Sequence, residues 1–376
     1  MRAFMRHVKR PLADRTDQVI VYAVKVEYKS SAPALQQASY IVLFLHSSPV
    51  TPFSAMKNMS LFPAPVAPRR IQGLPEPPFA VYLAADGFLD DLLTELGASV
   101  LEVRERLVLA SGEPKQAAWA QNIWNNPQFL PIESIGDAAR ILMAMQRNWH
   151  LHSVAHHRRA ALIQQKLPHV SSKPLTFGEP APSAPLGSWT LWEPDLMLAA
   201  PSCSSPFPDG IATFHENRTD PPSRAYLKLW ETFTLMGKYP CPGDLCLDLG
   251  SAPGGWTWVA ASLGARVFSI DKAPLAPQVE AMPEVSHCIG SGFALDPRHA
   301  GKVDWFFSDM ICYPDRLYEV VSRWIKLGSC RNFVCTIKLQ AETDHAAVAR
   351  FAAIPGSRVL HLSCNKHELT WIRLEQ

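Results

Sequence analysis

Residues Asp248-Leu249-Gly250-Ser251-Ala252-Pro253-Gly254-Gly255-Trp256 directly follow the apolar run Leu245 to Leu247. A short apolar run, a glycine-rich bend and helix-compatible residues predict a strand–loop–helix unit. Gly254 and Gly255 carry no side chain, which would let a ligand approach the backbone. A second strand, Ala265 to Ile270, ends in Asp271, and an acid at that place commonly holds a nucleotide ribose. The spacing departs from the G-x-G-x-x-G of a dinucleotide loop. Four further charged residues accompany expected strands: Lys228 lies on the helix before the first, Asp309 and Lys338 close two others, and Glu368 opens the last. Two amines and two carboxylates can hold and move a proton. A lysine serves as a base when burial and a neighbouring ammonium make its own proton easier to lose.

The Pro253-Gly254-Gly255-Trp256 loop resembles the S-adenosylmethionine loop of the FtsJ family of RNA ribose 2'-O-methyltransferases. Lys228, Asp309, Lys338 and Glu368 are similar to that family's Lys-Asp-Lys-Glu signature. The resemblance implies a Rossmann-like domain that uses S-adenosylmethionine. It implies cofactor contacts from Asp248, Gly250, Ser251, Pro253, Gly254, Gly255, Trp256, Asp271, Ser291 and Asp309. A ribose 2'-hydroxyl is a poor nucleophile because it keeps its proton far above neutral pH. Transfer from a sulfonium needs that oxygen deprotonated, or nearly so, and in line with the methyl group. Lys338 is the candidate base, Lys228 the neighbouring cation, Asp309 the group that orients the lysine, and Glu368 an anchor for the pair or the ribose. No metal is expected, since the leaving group is a neutral thioether.

A narrower similarity, to bacterial enzymes that methylate a cytidine ribose of large-subunit ribosomal RNA, rests on several stretches. These are Pro222-Ser223-Arg224 with Leu227-Lys228-Leu229, Asp309-Met310, Trp324 with Cys330-Arg331, Lys338-Leu339, and Ala199 to Pro206. It covers about 195–376 well, 79–194 loosely and 1–77 not at all. In that family an N-terminal, THUMP-containing region binds RNA. A transfer- or messenger-RNA ribose is the alternative substrate, and a non-catalytic RNA-binding assembly factor is the rival class. One departure stands out. The family often carries an acid for the adenine after the third strand, and here Ser291 takes that place in Gly290-Ser291-Gly292-Phe293, with Asp296 as a possible substitute.

The elements that must position these residues follow from residue 223 onward. Strands are expected at 245–248, 265–270, 303–307, 332–337, 358–362 and 368–373, with helices between, one of them from about Pro314 to Leu327. Such alternation predicts a mostly parallel sheet covered on both faces, with ligands at the carboxyl ends of its strands. Upstream, 78–215 reads as a smaller α+β, THUMP-like RNA-binding domain with a Pro-rich linker, and 216–376 as the methyltransferase domain. Strand-like pieces lie at Phe79 to Leu83, Ser99 to Val103, Trp189 to Trp192, Leu196 to Ala200 and Ile211 to Phe214. Trp119 to Trp124 reads as buried aromatic core rather than as a contact surface. A long helix is expected from Ser134 to about Lys166, with Asp137 in its first turn.

From Ala138 through Gly178 there is no Asp or Glu, whereas Arg140, Arg147, Arg158, Arg159, Lys166, Lys173 and five histidines are present. Arg147, His156, Arg158, Arg159 and Lys166 are candidate RNA-phosphate contacts, with Trp149 as a stacking partner; a plain solvated helix face is the competing reading. The net charge of +2 could not have revealed this patch. His152 and His156 lack an acidic partner nearby and are not expected to bind metal. Residues 1–77 hold ten Lys/Arg against four Asp/Glu and end Pro-rich, and they read as a poorly ordered or atypical extension. Within them Val19 to Val26 and Tyr40 to Leu45 are strand-like. The eight cysteines contain no Cys-x-x-Cys and suggest reduced, buried thiols of a cytoplasmic protein. No apolar run reaches 18 residues, so no membrane span is expected. The chain is expected to act on RNA as a monomer.

Overall fold

The computed structural model describes residues 74–375, together with the strands Phe4–Met5, Ile20–Val26 and Ser39–Leu45. The last two, both expected, pair antiparallel from Ile20↔Leu45 to Val26↔Ser39. The remainder of 1–73, and with it the expectation of poor order, lies outside the described residues. Ile71–Gln376 forms one compact unit.

A seven-stranded sheet dominates that unit. Its strands are β1 (Leu245–Leu249), β2 (Arg266–Asp271), β3 (Val285–Ile289), β4 (Val303–Ser308), β5 (Cys330–Lys338), β6 (Ser357–Leu360) and β7 (Glu368–Arg373), in the order β3-β2-β1-β4-β5-β7-β6. All neighbours run parallel except β7, which is antiparallel to β5 and β6. The helices are α1 (Tyr226–Met236), α2 (Gly255–Ser262), α3 (Pro277–Glu280), α4 (Pro297–Ala300), α5 (Pro314–Lys326) and α6 (His345–Ala352). Alternate residues of β4 explain the two covered faces. Trp305 and Phe307 pack with α1 and α2, whereas Phe306 packs with Leu317, Val321 and Trp324 of α5. Strand order reverses between β1 and β4, and a crevice opens at such a switch point.

The preceding segment forms two further sheets. One is five-stranded, in the order Ser202–Cys203, Ala120–Asn125, Phe79–Ala84, Leu107–Ser111, Val100–Arg104. The other is four-stranded, in the order Gln128–Pro131, Leu196–Ala200, Gly187–Glu193, Trp149–Leu151. Trp119 and Trp124 are buried, as the core reading required. Ile211 to Phe214 is not a strand; Phe214 makes only an isolated bridge to Leu175.

The long helix is also corrected. Ser134 caps it as expected, accepting from Asp137 N at 3.1 Å, but the helix runs only over Ile135–Met145. Trp149–Leu151 then pairs in parallel with Gly187–Trp189, and a second helix spans His157–Gln164. The Trp149 indole donates to Leu142 O at 2.9 Å and Gln146 O at 3.0 Å. It thereby satisfies carbonyls that a longer helix would have used internally. The same burial removes Trp149 as a stacking surface for RNA.

Candidate active site

The loop between β1 and α2 builds the floor of the site. Gly250 has φ +78°, and a Cβ there would stand 2.8 Å from Met310 Cα. Neither the backbone angle nor the space suits a larger residue. Gly255 faces Ser223 Oγ, and Gly254, at φ +111°, faces Val279. At all three glycines the space a Cβ would need is taken by the protein's own packing. Asp271, closing β2, accepts from Ala252 N at 3.0 Å and Ala273 N at 2.9 Å, which holds the loop against the strand end. Trp256 Nε1 donates to Ala225 O at 2.8 Å and ties α2 to the start of α1.

Above this floor lies a cavity of about 440 Å³. Of the residues expected to bind a cofactor, Asp248, Gly250, Ser251, Pro253, Gly255, Trp256, Asp271, Ser291 and Asp309 line it, and Gly254 does not. Asp248 Oδ2 accepts from Thr257 Oγ1 at 2.7 Å, whereas Asp248 Oδ1 and Ser251 Oγ are buried without a hydrogen-bond partner in the chain. Buried polar atoms are nearly always paired, so these two fit a ligand carrying polar groups. Burial, then repulsion from Asp309 and Asp271, pushes the Asp248 carboxyl up to about 7. Asp296 does not replace the missing acid: it caps α4 and binds Arg298 at 2.5 Å, away from the cavity wall.

The structure brings the four predicted charged residues together. Lys228 Nζ lies 3.1 Å from Asp309 Oδ1 and 2.7 Å from Glu368 Oε1. Lys338 Nζ lies 2.6 Å from Asp309 Oδ1 and 2.7 Å from Glu368 Oε2. Each amine therefore touches both carboxylates. Strand register explains the meeting: Lys338 and Glu368 are direct partners across β5 and β7, and Asp309 follows Ser308, the end of neighbouring β4. Lys338 and Asp309 also line the cavity, while Lys228 and Glu368 stand behind them. The Lys228 side chain is 8% exposed and that of Lys338 20%.

One expectation about Lys338 is overturned. Burial favours loss of its proton, but Asp309 and Glu368 outweigh burial and leave its pKa above the ordinary lysine value. Burial likewise opposes ionisation of Asp309, and Lys228 and Lys338 reverse that, leaving its pKa lowered. The lowered pKa of Asp309 and the raised pKa of Lys338 both favour the charged form of the group.

Sequence reasoning missed Glu231. It lies one helical turn beyond Lys228 on α1, is buried, and accepts from Ser363 N at 3.0 Å and Ser363 Oγ at 2.8 Å. Ser363 belongs to the loop leading to Glu368. This contact ties the helix bearing one amine to the loop that leads into the strand bearing one carboxylate. An acid at i+3 of Lys228 within an apolar helix was the available signal. The candidate RNA contacts lie elsewhere, on the segment holding the His157–Gln164 helix. Arg147, His156, Arg158 and Lys166 are exposed, and Arg159 is half-buried. His152 and His150 do find an acid, Asp209, at 3.0 and 3.3 Å.

Strand order, glycine-lined cavity and charged cluster together define an α/β domain with a ligand crevice at its topological switch point. Residues 221–360 match the model of the FtsJ-like methyltransferase family. Among curated relatives, Ribosomal RNA large subunit methyltransferase M of Laribacter hongkongensis is 36% identical over 168 residues, covering 42% of this chain and 47% of that protein. The protein of the same name from Aromatoleum aromaticum is 35% identical over 176 residues, covering 45% and 46%. The chain thus spans about half the length of the curated relatives it matches. TrmN from Thermus thermophilus, a solved structure, is 13% identical with a TM-score of 0.32, covering 79% of this chain and 99% of that one.

Proposed function

We propose that this chain methylates the 2'-oxygen of a ribose in RNA, using S-adenosylmethionine, and that the target is a cytidine of large-subunit ribosomal RNA. The observation that carries the reading is the cluster of two lysines and two carboxylates, half of it open to a glycine-lined cavity. The names of the relatives favour ribosomal RNA over other RNA. When bound, S-adenosylmethionine supplies an electrophilic methyl group on a sulfonium.

The chain's own residues do the rest. Asp248 and Ser251 offer unpaired acceptors to the polar end of the cofactor, and Asp271 stands at the strand end suited to its ribose. Ser291 lines the cavity and offers its hydroxyl on the adenine side. Lys338, after releasing its own proton to solvent, takes the proton of the ribose hydroxyl as a neutral amine. Asp309 orients Lys338 and faces the cavity, so a positive charge placed there draws on the same carboxylate and weakens its hold on the Lys338 proton. Lys228, enclosed behind, keeps a second ammonium beside the first and works in the same direction. Glu368 fixes both amines. Residues 78–215 serve as a THUMP-like RNA-binding domain, with phosphate contacts from Arg147, His156, Arg158, Arg159 and Lys166, and 216–376 as the catalytic domain.

Lys338→Ala should reduce methyl transfer to background while leaving S-adenosylmethionine binding within a few-fold of wild type. Tritiated S-adenosylmethionine with total rRNA, from cells with and without this protein, reads the first, and calorimetry reads the second. Full activity in the variant would remove Lys338 from the role of base.

A further inference from the structure

Apolar side chains normally lie buried, so the most exposed ones indicate what a surface is for. Among the described residues, the three most exposed large apolar side chains are Ile311 at 86%, Tyr313 at 67% and Ile289 at 62%. All three sit at the carboxyl ends of strands beside one cavity. Ile289 ends β3 next to the cavity-lining Gly290, and Ile311 and Tyr313 follow β4. The segment 309–313 begins at Asp309, within the charged cluster. Met310 and Cys312 point inward and are buried, and the residues between and after them point out.

From this we infer that Ile311, Tyr313 and Arg316 form the platform on which the RNA nucleotide entering the site is held. Ile311 is part of the cavity wall and meets the sugar edge, Tyr313 stacks on a base, and Arg316 faces a phosphate. The inference rests on the proposed RNA activity and deepens it.

Three observations support it. The first is reach. Four residue-to-residue steps lead from Asp309 to Tyr313, which limits their Cα atoms to roughly 14 Å, so a nucleotide whose ribose meets the cluster has its base, or the adjacent one, near that ring. The second is chemistry. An unpaired base is recognised largely by stacking on exposed aromatic rings, and Tyr313 offers such a ring with its phenol open to water. The third is charge. Tyr313 immediately precedes α5, and Arg316 lies one turn further along the same face. Arg316 is exposed, and its guanidinium sits 3.6 Å over the Phe293 ring, itself on the cavity wall. That contact fixes a cation at the mouth without neutralising it. An exposed Ile, Tyr and Arg around a reaction cavity match an unpaired nucleotide, whose base, sugar and phosphate each find a partner.

The test uses the full chain with Tyr313→Ala, Tyr313→Phe and Arg316→Ala. Affinity for a short fluorescent single-stranded oligoribonucleotide is read by anisotropy, alongside KM for rRNA, kcat, and cofactor affinity. Tyr313→Ala should weaken oligoribonucleotide binding and raise KM for rRNA by roughly five- to 150-fold, the range of one base stack. Cofactor affinity should stay unchanged, and Tyr313→Phe should restore binding. Arg316→Ala should lower the dependence of log affinity on log salt by about one. Unchanged RNA affinity in Tyr313→Ala overturns the platform, including the case in which the rim instead holds a protein. A wild-type chain that binds the oligonucleotide through Tyr313 yet methylates no RNA supports the platform and sinks the reading of the activity.

Discussion

Glu231 shows how one buried carboxylate can report on the site's framework. Burial pushes it up to about 7 from an ordinary 4.5, against the lowering effect of its bonds from Ser363. Its pKa is raised in the folded chain, so the folded state holds this proton more tightly than the unfolded one. The stability it contributes is fully present below about pH 4.5 and is lost as pH rises through about 7. Glu231→Gln lacks this titration. The melting-temperature gap, variant minus wild type, should therefore grow between pH 5 and pH 8, measured calorimetrically without cofactor. A gap equal at both pH values would refute the burial argument. The charged cluster has the opposite character. Asp309 is lowered and Lys338 raised, so their mutual stabilisation spans the neutral range and fades only toward the acidic and alkaline extremes.

Elements, more than propensities, decided what the basic stretch became. Periodicity from Ser134 onward is compatible with one helix, yet the chain leaves it at Gln146 because Trp149 is worth more in the core. Its ring is fully buried among Leu142, Ile163 and Trp189, and its nitrogen closes the helix end. Trp149→Ala should cost about 3–5 kcal/mol, the usual range for deleting a buried large aromatic. It should also weaken the His157–Gln164 helix, which would appear as lost ellipticity and a lower melting temperature. A change under about 1 kcal/mol would mean that the strand pairing with Gly187–Trp189, not the indole, sets the break.

The whole unit couples the upstream sheets to the seven-stranded one. Tyr82, Leu92 and Trp119 belong to the same apolar cluster as Leu247, Phe306 and Trp324. His361 N donates to Ala118 O at 3.0 Å, and Phe88 stacks on Trp119 and His367, with centroids 4.7 and 5.7 Å apart. His367 precedes Glu368. A fragment of residues 216–376 should therefore melt well below the full chain and transfer little methyl, because the loop leading to Glu368 loses one of its two walls. Equal melting temperatures would show that the upstream sheets contribute nothing to this loop.

Much of residues 216–376 was legible in the residues themselves. Apolar runs ending in Asp248, Asp271, Asp309 and Lys338 mark strand ends, and strand ends on a parallel sheet share one edge, so the cluster could be foreseen from spacing and charge. The loop glycines were visible too, though the packing that Gly254 and Gly255 permit was not. What sequence could not supply was anything depending on distant partners: the break at Trp149, the acid Asp209 for two histidines, Glu231 gripping Ser363, and the two carboxylates that raise rather than lower the Lys338 pKa. Local pattern fixes which way a side chain points along its own strand or helix. Which group it meets, and therefore what charge it carries, is decided only when the sheets close on one another.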